Sequence, residues 1–342
     1  MGTKKSISIP IAISIPMKRE LKFDERHQKR RTMTDALSSG TPRTAFKLKP
    51  YIESRRAIID SALLNYLQGS RRNDAEILAA MTYSIQAGGK RLRPILCMAA
   101  AHALGGSETE ALPVGCALEM IHTYSLIHDD LPAMDDDDVR RGKPTSHRAF
   151  SEATAILAGD ALLTCAFQCL ADHALQQPPQ QNGQWLKIIA LIAIAAGYDG
   201  MIEGQMRDIA AEGNELALDE LEQLHLLKTG ALISAAIESG AILGHADAEA
   251  YRSLKEYGYC IGLAFQVVDD ILNEVGNPEI MGKAVGTDRL HLKNTYPALL
   301  GLSAARQKAA DLVNQALRSL EIFDTKSDPL RAIARYVVER RR

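Results

Sequence analysis

From Pro179 to Pro278 the chain contains no proline, and its apolar side chains recur at three- and four-residue spacing. Leu221, Leu224, Leu227 and Ala231 form one such series, and Ile233, Ile237 and Ala241 form another. That period belongs to helices with a buried face, and so long a stretch of it leaves room for little besides helix packed on helix. After residue 50 no alternating run of β-branched residues is bounded by turn residues, so no strand is expected there. The segment Gln176-Gln177-Pro178-Pro179-Gln180-Gln181-Asn182-Gly183 is polar and helix-breaking and reads as a loop. The pattern predicts an all-α fold: a single large bundle of about ten helices around a central cavity.

The first 45 residues differ in kind from the rest. Ser6 to Pro16 alternates isoleucine with small residues and is broken by Pro10 and Pro16, and a densely charged stretch follows from Lys18 to Arg31. Prolines interrupt the apolar run and no small-residue cleavage site follows it, which argues against a signal peptide. Residues 1–45 are therefore expected to be a disordered or non-native leader, with Met33 a candidate start, and residues 46–342 the helical domain. With 40 Lys+Arg against 42 Asp+Glu, the chain lacks the basic excess of a nucleic-acid binder. Its 5 cysteines include no C-x-x-C pair and read as reduced thiols. Uninterrupted apolar runs fall short of the roughly 20 residues that cross a bilayer. The expectation is a cytoplasmic protein with no stable membrane insertion.

Two acidic segments carry the chemistry, each closing a long apolar helical stretch. The first runs Asp129-Asp130-Leu131-Pro132-Ala133-Met134-Asp135 and continues through Asp138. Pro132 stops the preceding helix, so Asp129 and Asp130 occupy its last turn, where the helix dipole disfavours negative charge. Carboxylates placed there need a cation, and oxygen donors of this kind suit Mg²⁺. Cations flank the segment: Arg140-Arg141-Gly142-Lys143 after it and Gly88-Gly89-Lys90-Arg91-Leu92-Arg93 before it. Two basic loops around a carboxylate cluster point to two anions with metal between them. In the second segment, Gln266, Asp269, Asp270 and Asn273 share one face of an otherwise apolar helix. Unpaired buried carboxylates cost several kcal/mol each, roughly, and a metal–phosphate cavity between the two helices removes that cost. Lys228, Thr229, Lys283 and Lys293 offer further contacts to the same cavity.

These motifs resemble those of the trans-isoprenyl diphosphate synthases. Asp129-Asp130-Leu-Pro-Ala-Met-Asp135 followed by Arg140-Arg141-Gly-Lys-Pro-Thr is similar to the family's first aspartate-rich motif, in the form typical of bacterial farnesyl diphosphate synthases. Gly89-Lys90-Arg91-Leu92-Arg93-Pro94, Lys228-Thr229-Gly230 and Phe265-Gln266 match in order, from about residue 50 to the end. The resemblance implies the isoprenoid synthase fold, a homodimer and three Mg²⁺ ions, for which Mn²⁺ can substitute. It implies metal ligation by Asp129, Asp130, Asp135 and Asp269, with Lys228 joining the four aspartates in the catalytic set. An allylic diphosphate, dimethylallyl or geranyl, would be held by the metals with Arg140, Lys228, Thr229, Gln266, Lys283 and Lys293. Isopentenyl diphosphate would be gripped by Gly89, Lys90, Arg93, His122 and Arg141 and would attack through its double bond. The released diphosphate takes the proton in the family, so no side-chain base is required, and His128 is read as structural. One position departs: the family's second motif ends in aspartate, and Asn273 stands here.

Chain length would be set one to two turns before Asp129. Ser125 is small, and Tyr124 is the first bulky group on that stretch, about 7–8 Å back along the axis. Farnesyl synthases of the form this sequence resembles carry an aromatic there, so the resemblance implies a fifteen-carbon product, farnesyl diphosphate. The rivals are a twenty-carbon synthase, a terpene cyclase and a non-catalytic subunit of a heteromeric synthase. A cyclase has no use for the Lys90–Arg93 loop, and a non-catalytic subunit would be expected to lose first-motif aspartates, which are all present.

Overall fold

The computed structural model describes residues 46–69, 75–275 and 294–340, and helices account for most of them. In chain order they are α1 (Leu48–Gln68), α2 (Glu76–Gln86), α3 (Leu92–Ala103), α4 (Glu108–Asp129), α5 (Ser146–Ala149), α6 (Glu152–Leu175) and α7 (Asn182–Ala196). There follow α8 (Met201–Ala210), α9 (Leu218–His225), α10 (Ala231–Leu243), α11 (Ala248–Val275), α12 (Tyr296–Leu300), α13 (Leu302–Ser319) and α14 (Asp328–Glu339). The chain divides into two units between Thr44 and Ala45, and the described residues all lie in the second. The leader expected over 1–45, like Lys283 and Lys293, falls outside the described residues.

Side-chain caps start two of the long helices, α4 and α6. Ser107 Oγ accepts from the backbone N–H groups of Thr109 and Glu110 to open α4, and Ser151 Oγ accepts from Thr154 N–H to open α6. Helix α4 is buried around its whole circumference from Val114 to Ile121, as an all-round apolar helix must be. It packs between α3 and α6, while α10 joins α3 to α11 and α11 lies against α13. The acidic end of α4 and the acidic stretch of α11 thus belong to one core.

Local chemistry overrides the simple pattern in four places. The expected loop at 176–183 is partly helical: Pro179–Gln181 forms a 3₁₀ turn and Asn182 opens α7. Among the described residues one strand pair exists, β1 (Val139–Arg140) with β2 (Lys143–Pro144), too short for a period-two signal. Between α9 and α10 the rod widens into a π turn over Leu226–Gly230. Finally, 152–175, 179–210 and 218–243 are each long and apolar enough to cross a membrane. That corrects the expectation from run length, because isolated polar residues break the runs without adding much charge. In the bundle these helices are part-buried, and they expose Leu157, Leu186, Ile194 and Met206.

The π turn depends on a close approach. A Cβ on Gly204 of α8 would lie 2.2 Å from Lys228 N, a backbone atom that cannot step aside. Gly204→Ala is expected to destabilise the fold by about 2 kcal/mol or more, read as a lowered Tm. Gly183→Ala, where nothing lies within 4 Å, should leave Tm within about a degree or raise it slightly.

Candidate active site

Asp129 is the last residue of α4 and Asp130 its C-cap, two residues before Pro132. The loop that follows curls back, with Asp135 N–H donating to Asp129 O at 2.8 Å and Asp136 N–H to Leu131 O at 3.1 Å. This return brings the Asp135 charge to bear on the Asp129 carboxyl. Burial pushes the Asp129 pKa up to about 6; Asp135 and Asp130 add to the rise, and Lys228 and Arg140 oppose it. Asp130 is buried and turned to Arg140, whose Nε and Nη2 lie 2.6 and 2.5 Å from its Oδ1. Its pKa is also raised by burial, against the pull of Arg140.

The hairpin of β1 and β2 carries the cations. Arg141 (φ 54°) and Gly142 (φ 76°) are the two left-handed residues that a two-residue turn of this hand requires. The turn presents Arg140 to the acidic helix end and swings Arg141 toward the other basic loop, where its Nη1 donates to Gly88 O. Gly89, at φ 150°, lies under that guanidinium; a Cβ there would approach Nη1 to 2.9 Å. The two basic loops seen separately in the sequence are therefore one structure.

Within the Gly88–Arg93 loop the cations divide. Arg91 (φ 51°) is buried and bonded to Asp60 Oδ1 (2.7 Å), Glu119 Oε1 (2.7 Å) and Ile85 O (2.6 Å), so it braces the loop. Lys90 is left exposed and Arg93 half-buried. Burial lowers the pKa of Arg93 and Arg141. His122 is held well below its ordinary value by burial and by the charges of Arg93, Arg141, Arg140 and Arg91. It is neutral at pH 7 and offers one donor and one acceptor among guanidinium groups.

On the opposite side, the π turn delivers Lys228, whose Nζ lies 2.6 Å from Asp208 Oδ2, and Thr229, whose Oγ1 donates to Gln266 Oε1 at 3.1 Å. Gln266 Nε2 donates to Asp270 Oδ1 at 3.0 Å, and Asp270 Oδ2 accepts from Tyr296 N–H at 3.0 Å. The polar stripe of α11 thereby splits. Asp270 and Asn273 are buried toward α12 and the core, whereas the half-exposed Asp269 pairs with Arg340 Nη1 at 2.8 Å.

Tyr124 is buried, its ring edge-on to His128 at 5.7 Å, and Ser125 Oγ donates to His122 O. His128 Nε2 lies 3.1 Å from Ile156 O, a structural contact. Among the described residues, ligand atoms of Asp136, Asp138 and His147 come within 4.8 Å of one another and could hold a metal. This group shares no residue with the expected set of Asp129, Asp130, Asp135 and Asp269, of which Asp130 and Asp269 pair with arginines. Asp208, Arg340 and the bracing role of Arg91 had no signal in the sequence: each is defined by a partner distant along the chain.

A carboxyl whose pKa rises from 3.8 to about 6 on folding favours the fold below pH 4 and loses that contribution as pH rises through 6. Allowing for partial exposure, roughly 2 kcal/mol is at stake. Asp129→Asn in metal-free buffer should raise Tm at pH 7.5 relative to wild type, and the gain should shrink toward pH 4. Thermal melts across that range measure it.

The bundle, with acidic helix ends facing two sets of cations, has the architecture of a diphosphate-handling synthase, and comparison with known proteins bears this out. The polyprenyl synthetase family model matches residues 74–331. A farnesyl diphosphate synthase of Geobacillus stearothermophilus is 45% identical over 86% of this chain and 98% of its own length. A geranylgeranyl diphosphate synthase of Cyanophora paradoxa is 43% identical over 87% of this chain and 98% of its own. The apo crystal structure of an FPP/GFPP synthase from Zymomonas mobilis superposes with a TM-score of 0.74, at 41% identity, over 85% of this chain and 98% of its own. The chain belongs to the polyprenyl synthetase family and is a trans-prenyl synthase, a prenyltransferase of isoprenoid biosynthesis.

Proposed function

We propose that the chain is a Mg²⁺-dependent farnesyl diphosphate synthase that condenses isopentenyl diphosphate with dimethylallyl and then geranyl diphosphate. The donor set fits the metal: oxygen donors only, with a half-buried Asp129 carboxyl whose charge desolvation penalises until a cation arrives. Asp129 and Asp135 would hold ions from the α4 side and Asp269 from the α11 side, three in all, with Mn²⁺ as a substitute. Asp130 acts through Arg140, which it orients. Bound there, the ions supply positive charge against the leaving diphosphate.

The remaining chemistry is that of this chain's own side chains. Arg140, Lys228, Thr229 and Gln266 bind the allylic diphosphate, whose carbon–oxygen bond breaks toward them. Lys90, Arg93, Arg141 and the neutral His122 hold the diphosphate of isopentenyl diphosphate over the Gly89 backbone. Its double bond attacks the allylic carbon, and the proton lost from the adjacent carbon passes to the released diphosphate.

The observation that carries product length is Tyr124. It is buried, its ring is set against His128 at an interplanar angle of 82°, and His128 is itself tied to α6 through Ile156 O. A ring braced from a second helix makes a floor that does not swing aside. Geranylgeranyl diphosphate synthases of similar identity keep a twenty-carbon product as the second reading. Chromatography of products from isopentenyl and dimethylallyl diphosphates decides between them. Wild type should give mainly the fifteen-carbon product, and Tyr124→Ala mainly twenty carbons or more with the first condensation within a few-fold. A wild-type enzyme that makes mainly the twenty-carbon product removes Tyr124 as the floor.

We also infer that the enzyme is a cytoplasmic homodimer. Leu157, Leu186, Ile194, Ile202 and Met206 of α6, α7 and α8 expose apolar surface of the kind that a second copy covers. In sedimentation equilibrium without detergent the wild type should run as a dimer, and Leu186→Glu with Ile194→Glu should shift it to monomer.

A further inference from the structure

Arg340 is the C-cap of α14, about 70 residues beyond the second acidic segment, and its side chain is buried within the site. Nη1 lies 2.8 Å from Asp269 Oδ1, Nη2 donates to Phe265 O at 2.8 Å, and the guanidinium carbon stands 3.9 Å over the Phe265 ring. Lys90 Nζ approaches the same ring at 5.9 Å. The arrangement is unbalanced. Arg340 is 2% exposed and Asp269 is 40% exposed at the side chain, so the cation is sequestered while the anion stays open to solvent. Arg340 Nε is buried without a hydrogen-bond partner among the described residues. A guanidinium has five donors in a fixed fork, and one left unmet in the interior costs free energy. A pair built only for stability would close that fork on the carboxylate with two parallel bonds.

We propose that Arg340 is the resident counter-cation of Asp269, a positioning residue whose charge opposes metal ligation by this carboxylate. The proposal rests on the reading of Asp269 as a metal ligand. A guanidinium on Oδ1 offsets the carboxylate's charge and repels an incoming dication, so Arg340 competes with metal at this side of the cavity and raises the concentration at which it loads. The stacking on Phe265 and the bond to its carbonyl keep the guanidinium at hand when Asp269 changes partner. The C-terminal helix thereby sets metal occupancy without touching the metal.

The competition is read by titrating the full-length protein with Mn²⁺ alone, following the free ion by electron paramagnetic resonance, with no substrate present. Arg340→Gln should bind the Asp269-dependent Mn²⁺ several-fold more tightly than wild type, and Arg340→Lys should fall between them. In an Asp269→Asn background Arg340→Gln should have no effect. If Asp269→Asn weakens Mn²⁺ binding while Arg340→Gln and Arg340→Lys both leave it unchanged or weaken it, the counter-cation role is overturned and the ligand reading stands. If Asp269→Asn leaves Mn²⁺ binding unchanged, the ligand reading fails and the proposal falls with it. Arg340→Lys keeps the test open should Arg340→Gln fold poorly.

Discussion

A half-buried carboxylate at the wrong end of a helix governs this structure. Asp129 ends α4, where the last carbonyls already carry negative partial charge, and the helix leading up to it is packed in the core. Its pKa near 6 records that cost. Lys228 on the π turn and Arg140 on the hairpin ease that cost, while Asp135, brought back by the loop, adds to it. A fold selected for stability alone would place an uncharged residue there.

The supporting parts divide into groups that act on ligands and groups that hold those in place. Arg91 and Arg93 are two residues apart and differ: one is consumed by Glu119, Asp60 and backbone carbonyls, the other keeps a buried Nε without a partner among the described residues, and its charge lowers the His122 pKa. Asp269 and Asp270 are adjacent and also diverge. Asp270 fixes Gln266 and the start of α12, and Asp269 stays half-exposed. In each pair the braced member sets the direction of the working one, so substitutions at Arg91 or Asp270 act at a distance from the ligand.

How much of this was legible in the sequence follows from the range of each interaction. Helical periodicity, the stop at Pro132 and the i, i+3, i+4, i+7 stripe of α11 are local, and they gave the all-α class and the two acidic ends. The resemblance added roles for Lys90, Arg93, Lys228 and Thr229; in the structure the charge of Arg93 acts on His122 and that of Lys228 on Asp129. The hairpin escaped notice because two residues per strand carry no period, and the π turn because Gly204 of α8 and Gly262 of α11 create it from outside. Arg340 escaped because a basic C-terminus reads as solvated charge until α14 is seen to deliver it to Asp269. The pairing of Asp130 with Arg140 had no signal either, because Arg140 comes within reach only through the hairpin turn.

The central claim is that the two acidic helices close on one diphosphate from opposite sides. The most direct measurement is a crystal structure with Mn²⁺ and an allylic diphosphate analogue, with the ions located by anomalous scattering. The account predicts Mn²⁺ bonded to Asp129 and Asp135 and a further Mn²⁺ bonded to Asp269, all coordinated by oxygens of the same diphosphate. Ions confined to Asp136, Asp138 and His147, or a diphosphate bound by Asp129 with Asp269 still paired to Arg340 and metal-free, would contradict it.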